Sequence, residues 1–121
     1  MIFEVRELPY DGSNLKLLGL IHNSENNLYR AAEKSDYKKI LKYGTVTLNE
    51  DVIFAATADD IIAAENNLEL SSFKQFKNYK EPILIVYDVN GFEKINNSQW
   101  KFKDTKNKRK YLKQFIFIKT Q

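Results

Sequence analysis

The sequence predicts a single α+β domain over residues 1–121, with a mixed, largely antiparallel sheet of about six strands and two or three short helices. Three observations support this fold class. Short segments rich in β-branched and aromatic residues recur along the chain, helical spacing appears between them, and no repeat, Gly/Ser linker or Pro-rich segment divides the chain. A length of 121 residues suits one domain with a continuous core.

The N-terminal part begins with an alternating strand over residues 2–8, and a turn cluster rich in Pro, Asp, Gly and Ser follows. Residues 15–21 return as a second strand or as a short helix. After a polar, asparagine-rich loop, Leu28, Tyr29 and Arg30 form a short strand that ends on the arginine.

The next segment has the signals of a helix over residues 36–43. Ser35 is a suitable N-cap, and Gly44 stands where a helix C-terminus favours glycine. The apolar positions fall at i, i+3 and i+4, the spacing of one helix face, and are Tyr37, Ile40 and Leu41.

A strand and a second helix follow in close succession. Residues 45–48 form a short extended stretch, and residues 52–55 are an apolar run typical of a buried strand. Thr57 or Ala58 then begins a helix whose first turn is acidic, as the helix dipole favours.

The C-terminal half is predicted to be mainly strands. Residues 71–80 form another helix, and residues 83–89 form the most strand-like segment, apolar on both faces. Residues 100–103 alternate apolar with charged side chains, and residues 111–118 form the last strand.

Composition excludes several classes of site. The chain has no cysteine, so it holds no disulfide, thiolate nucleophile or cysteine zinc site, and its one imidazole is His22, a surface histidine by default. Glycines are scattered singly, so no phosphate-binding loop is present. We expect no metal site. We also expect that the chain does not contact a membrane and that it is cytoplasmic. If it comes from a phage or is a delivered toxin, the cytoplasm is that of the host.

Basic charge is concentrated at the C-terminal end. Residues 101–121 hold eight basic residues and one acidic residue, whereas the other 100 residues hold 11 basic and 15 acidic ones. A phosphate-bearing or acidic partner would therefore be expected at the basic segment 101–119. The alternative is that these lysines solvate the flanks of a hydrophobic final strand.

Four features follow one another along residues 27–90: Leu28-Tyr29-Arg30, a helix ending at Gly44, the run Val52-Ile53-Phe54-Ala55-Ala56-Thr57-Ala58 leading into a helix, and Pro82-Ile83-Leu84-Ile85-Val86-Tyr87. In this order they resemble the small ADP-ribosyltransferase superfamily. The resemblance implies an ADP-ribosyltransferase-like fold and an enzyme that uses NAD as its substrate. Such an enzyme transfers ADP-ribose to a protein or nucleic-acid acceptor, or hydrolyses NAD as a glycohydrolase toxin does.

The resemblance also assigns residues to an NAD site. Arg30 stands where the superfamily places its NAD-anchoring residue at the end of the first strand. Tyr29 or Tyr43 would stack on a ring of the ligand. Thr57 stands where a strand-end serine or threonine supports the nicotinamide pocket.

The acidic residue is less clearly placed, because the late Glu-x-Glu or Gln-x-Glu pair of the superfamily is missing. Glu65 is the first candidate, since a related toxin subgroup places its glutamate on the helix after the second strand, and Glu93 is the second. Both also suit solvated surface positions. The alternative for Arg30 is a structural ion pair with Glu33 or Asp51.

Two alternatives without catalysis stay open. In the first, the chain is an interaction protein, such as a phage or mobile-element factor that binds a host component. In the second, the basic segment binds nucleic acid and the aromatic residues around it stack on bases, namely Trp100, Phe102 and Tyr111.

Overall fold

The structure is a computed structural model that describes residues 4–10, 26–63 and 80–120. Strands dominate these ranges: β1 (Glu4–Tyr10), β2 (Asn27–Glu33), β3 (Val52–Phe54), β4 (Ala56–Thr57), β5 (Pro82–Asp88), β6 (Phe92–Asn96), β7 (Gln99–Phe102) and β8 (Leu112–Thr120). The helices there are α1 (Tyr37–Tyr43) and α2 (Ala58–Ala63), with 3-10 turns at Lys34–Asp36, Val89–Gly91 and Lys108–Tyr111. None of the described helices has the length and apolar character needed to cross a membrane.

The described strands divide between two sheets. Five strands form one sheet in the order β1-β8-β5-β2-β4, and three form the other in the order β3-β7-β6. The pairings are antiparallel except for the parallel pair β1 and β8. The predicted α+β class with few helices and largely antiparallel pairing is therefore confirmed, although the strands form two sheets where the sequence predicted one.

The core lies where the larger sheet packs against the smaller sheet and α1. Leu28, Ile85 and Phe115 share the inner face of the larger sheet, and Ile40 enters the core from α1. The smaller sheet contributes its own inner face, which consists of Ile53, Phe92, Trp100 and Phe102. The outer face of the larger sheet is buried at Tyr29, Leu84, Val86 and Ile116. As predicted, β5 is therefore buried on both faces.

Helix α1 ends as predicted but begins differently. Gly44 closes it with a left-handed φ of 83°, and its N–H donates to the Ile40 carbonyl at 2.7 Å. Ser35 is not the N-cap, because the chain enters α1 through a 3-10 turn. The backbone is already helical at Asp36, and no side chain caps the helix there.

Two strand predictions near α1 are wrong in part. Residues 45–48 are bends and a turn, and no strand of the described ranges pairs with them. The run at residues 52–55 is strand β3 only as far as Phe54. Ile53 and Ala55 are buried, whereas Val52 and Phe54 are exposed. Segment 15–21 and nearly all of segment 71–80 lie outside the described residues.

We expect Gly44→Ala to lower the free energy of unfolding by about 2 kcal/mol or more. The left-handed conformation is strained for alanine, and a Cβ at Gly44 would lie 2.6 Å from the Arg109 nitrogen and 2.6 Å from the Lys108 carbonyl carbon. Denaturant unfolding measures the change. Lys39→Ala on the exposed face of α1 is the control, with a change within about 0.5 kcal/mol. Equal effects of the two substitutions would contradict this account of Gly44.

Candidate functional site

Four polar side chains form a cluster at the inner face of the larger sheet, the Arg30 cluster: Arg30, Thr45, Glu50 and Tyr87. Strand β2 points Arg30 to the same face as Leu28, toward the segment that follows α1. The guanidinium forms an ion pair with Glu50 and donates to the Thr45 hydroxyl at 3.2 Å. The Thr45 hydroxyl in turn donates to the same Glu50 carboxylate. The ion pair is therefore held in a fixed geometry by a third side chain.

The ion pair lies at the margin of the core. The Arg30 side chain is 11% exposed and the Glu50 side chain 23% exposed, so solvent reaches both groups. Burial works against the charge of the guanidinium, but the neighbouring Tyr87 and Glu50 outweigh it, and the pKa of Arg30 is raised above its ordinary value. The guanidinium thus stays charged, and the Glu50 carboxylate is its ion-pair partner in the cluster.

Tyr87 connects the cluster to the end of α1. Its hydroxyl donates to the Gly44 carbonyl at 2.7 Å, which satisfies an acceptor at the helix C-terminus. Burial raises the pKa of Tyr87 to about 12, although the adjacent Arg30 acts to lower it. The phenol therefore keeps its proton at neutral pH and remains a donor to Gly44.

Lys108 holds the same segment from the other side. Its side chain is buried, and its ammonium donates to the carbonyls of Leu48 at 2.9 Å and Glu50 at 2.6 Å. It also forms an ion pair with Asp51 at 2.8 Å. All three ammonium donors are thereby engaged. The backbone that carries Glu50 is fixed by Lys108, and the Glu50 side chain is fixed by Arg30.

Of the residues predicted to bind NAD, Arg30 and Thr57 share a face of the larger sheet, because Thr57 pairs with Leu28 in register. The Thr57 hydroxyl accepts from the Asp60 backbone N–H at 3.2 Å and so caps α2. Tyr29 lies on the opposite face from Arg30, where it is buried and its hydroxyl accepts from the Asn27 amide. The structure therefore does not bring Tyr29 together with Arg30.

The other predicted site residues lie elsewhere or outside the described ranges. Tyr43 is half-buried at the end of α1, with the Lys42 ammonium 5.1 Å from its ring centroid. Glu93 is exposed on the outer face of the smaller sheet, where it pairs in register with Lys101. Glu93 and Arg30 are therefore on different sheets. Glu65 and His22 are not among the described residues.

The structural ion pair predicted for Arg30 is present, but its partner differs from the prediction. Glu33 accepts instead from the backbone N–H groups of residues 80 and 81, and Asp51 pairs with Lys108. Glu50 takes the guanidinium because the bends after Gly44 return the chain to β2. No spacing rule connects residues 30 and 50 across a loop, so sequence patterns gave no signal for this pair.

The basic segment 101–119 is mostly available at the surface. Lys108 is buried, whereas six other cations are exposed: Lys101, Lys103, Lys106, Arg109, Lys110 and Lys113. The predicted stacking role of Trp100 and Phe102 is wrong, because both rings are buried in the core. Tyr111 is half-buried and packs against the same core. A nucleic-acid or acidic partner at this segment stays a prediction that rests on charge alone.

Comparisons with protein-family models, with curated proteins and with solved structures find no match for this chain.

We expect the contribution of Tyr87 to stability to fall between pH 10 and pH 12. The native state keeps the phenolic proton up to about pH 12, whereas the unfolded state loses it near pH 10, so stability decreases as pH rises through this window. The full loss of stability is roughly 2 to 3 kcal/mol, because the two pKa values differ by about two units and each unit is worth about 1.4 kcal/mol.

The variant Tyr87→Phe isolates this effect from the titration of lysines. At pH 7 the variant should be less stable than the native chain by about 1 to 2 kcal/mol, because the Gly44 carbonyl loses its donor. At pH 12 this difference should vanish or reverse. Denaturant unfolding of the native chain and the variant across the pH range measures this difference. A difference in stability that does not change with pH would contradict the claim that burial raises the pKa of Tyr87.

Proposed function

We propose that the chain binds NAD at the Arg30 cluster and breaks the bond between nicotinamide and ribose, passing ADP-ribose to an acceptor or to water. One observation carries the proposal. A guanidinium and a carboxylate, Arg30 and Glu50, lie side by side at a partly exposed position on the inner face of the larger sheet. This arrangement supplies an anion-binding group and an acid in one place, and it makes Glu50 the acid of the proposal in place of the sequence candidates Glu65 and Glu93.

Arg30 is suited to bind the pyrophosphate of the ligand. A guanidinium offers planar, paired donors that match phosphate oxygens, and its strand keeps it in place. Glu50 is bound to these donors in the structure, and Glu50 is the more exposed partner. A pyrophosphate can therefore take the place of the Glu50 carboxylate, and Arg30 keeps a negative partner throughout the exchange.

Displacement from Arg30 would free Glu50 for the reaction itself. When the glycosidic bond breaks, nicotinamide leaves with the electron pair, and positive charge develops on the ribose. A carboxylate beside that charge stabilises the transition state more than the ground state, so it accelerates the step. The acceptor or water then forms the new bond to the ribose carbon and loses its proton. No metal takes part in this scheme.

The second candidate is an interaction protein without catalysis. It is favoured by the fact that Glu50 and Thr45 already bind the Arg30 guanidinium, as expected for a purely structural ion pair. In this case the cluster fixes the segment after α1, and another surface binds the partner. The two candidates differ in whether NAD competes with Glu50 for the guanidinium.

Titration calorimetry with NAD separates the two candidates. We expect the native chain to bind NAD and Arg30→Lys to bind it at least about tenfold more weakly, because an ammonium lacks the planar fork. Glu50→Gln should bind NAD as tightly or more tightly, since it removes the competing anion. The same variant should lose about a hundredfold in nicotinamide release.

Glu93→Gln is the matched control, because it removes an exposed carboxylate on the other sheet and should leave binding and turnover unchanged. Thermal unfolding of each variant confirms that the fold is retained. If the native chain does not bind NAD, or if Arg30→Lys and Glu93→Gln bind it equally well, the enzymatic proposal is wrong.

A further inference from the structure

Strand β3 presents apolar side chains at an edge of the smaller sheet. Among the described strands it pairs only with β7. Ile53 is buried, whereas Val52 and Phe54 on the opposite face are 36% and 52% exposed. Two apolar side chains therefore lie next to each other on an exposed sheet surface.

The backbone of β3 also has one side that none of the described strands pairs with. The Asp51 carbonyl accepts from the Phe102 N–H at 2.9 Å, and the Ala55 N–H donates to the Ser98 carbonyl at 3.0 Å. Because bonding directions alternate along an antiparallel strand, Ile53 also faces β7. The N–H and C=O groups of Val52 and Phe54 consequently point away from β7, toward the edge.

The other described edge strands carry features that discourage pairing. Strand β6 has an irregularity between Lys94 and Asn96, and the Lys94 ammonium is bound to Asp60. Strand β1 contains Pro9, and β4 is two residues long. Strand β3 contains no charge, proline or bulge, so of these edges it is the least protected against a further strand.

We propose that β3 pairs with β3 of a second copy of this chain, antiparallel about a two-fold axis at Ile53. In that register Val52 of each copy lies opposite Phe54 of the other, and the outward backbone groups of both residues form hydrogen bonds across the axis. The two smaller sheets then become one sheet of six strands. The interface is isologous and closed, so association stops at the dimer.

The side chains suit this register. Val52 and Phe54 of both copies lie on the same face and form one contiguous apolar surface. Asp51 lies opposite Ala55 of the second copy, so no like charges meet at the ends of the paired strands. An extended segment of another protein can add to the same edge, but β3 matches its own copy without any further requirement.

Sedimentation equilibrium of the full chain tests the proposal over concentrations from about 10 µM to about 1 mM, since a three-residue strand pair makes a weak dimer. We expect the average mass to rise toward twice that of one chain. Phe54→Lys should weaken association at least about tenfold, because it places two charges in the apolar surface. Ile95→Lys, at an equally exposed position on β6, should not change it.

Amide hydrogen exchange at the same concentrations reports on the strand itself. The Val52 and Phe54 amides should become protected as concentration rises, while the Ile53 amide stays protected throughout. A monomer at every concentration overturns the proposal. So does a dimer that Phe54→Lys leaves intact, a dimer that both lysine variants weaken equally, or association without protection of Val52 and Phe54.

Discussion

The segment from Gly44 to Asp51 is held against the larger sheet by two cations that have little access to solvent. Arg30 binds the Glu50 side chain from β2, and Lys108 binds the carbonyls of Leu48 and Glu50 from the turn before β8. Between Gly44 and Glu50 the segment consists of bends and a turn that none of the described strands pairs with, so side-chain partners supply much of what holds its backbone. Removing either cation would leave partly buried acceptors without their donors, which destabilises the segment.

This constraint also determines what the molecule can present to a ligand. The contacts that order the segment also place the Glu50 carboxylate beside Arg30. They fix the start of β3 as well, because Asp51, the residue before β3, is bound by Lys108. Folding and the candidate site therefore share residues. Substitutions in such a site change both ligand binding and stability, so binding and stability must be measured separately for every variant.

The sequence predicted the elements whose signals are local. The buried strand β5, the glycine that ends α1 and the helix expected from Thr57 or Ala58, which begins at Ala58, follow from composition, glycine chemistry and helix-start signals. It did not predict the Arg30 cluster beyond Arg30 itself. Glu50 and Tyr87 reach Arg30 only through the bends after α1 and the pairing of β2 with β5, and such long-range register has no signature within a short window. The burial of Trp100 and Phe102 was missed because an alternating strand shows one apolar face without showing what covers it.

Amide hydrogen exchange of residues 45–51 in Arg30→Met and Lys108→Met tests the central claim most directly, because both substitutions remove a cation and keep an apolar stem. The account predicts that exchange in this segment accelerates at least about tenfold in both variants, while the amides of β5 retain their protection. Unchanged exchange in residues 45–51 of both variants would show that other contacts hold the segment, and would contradict the account.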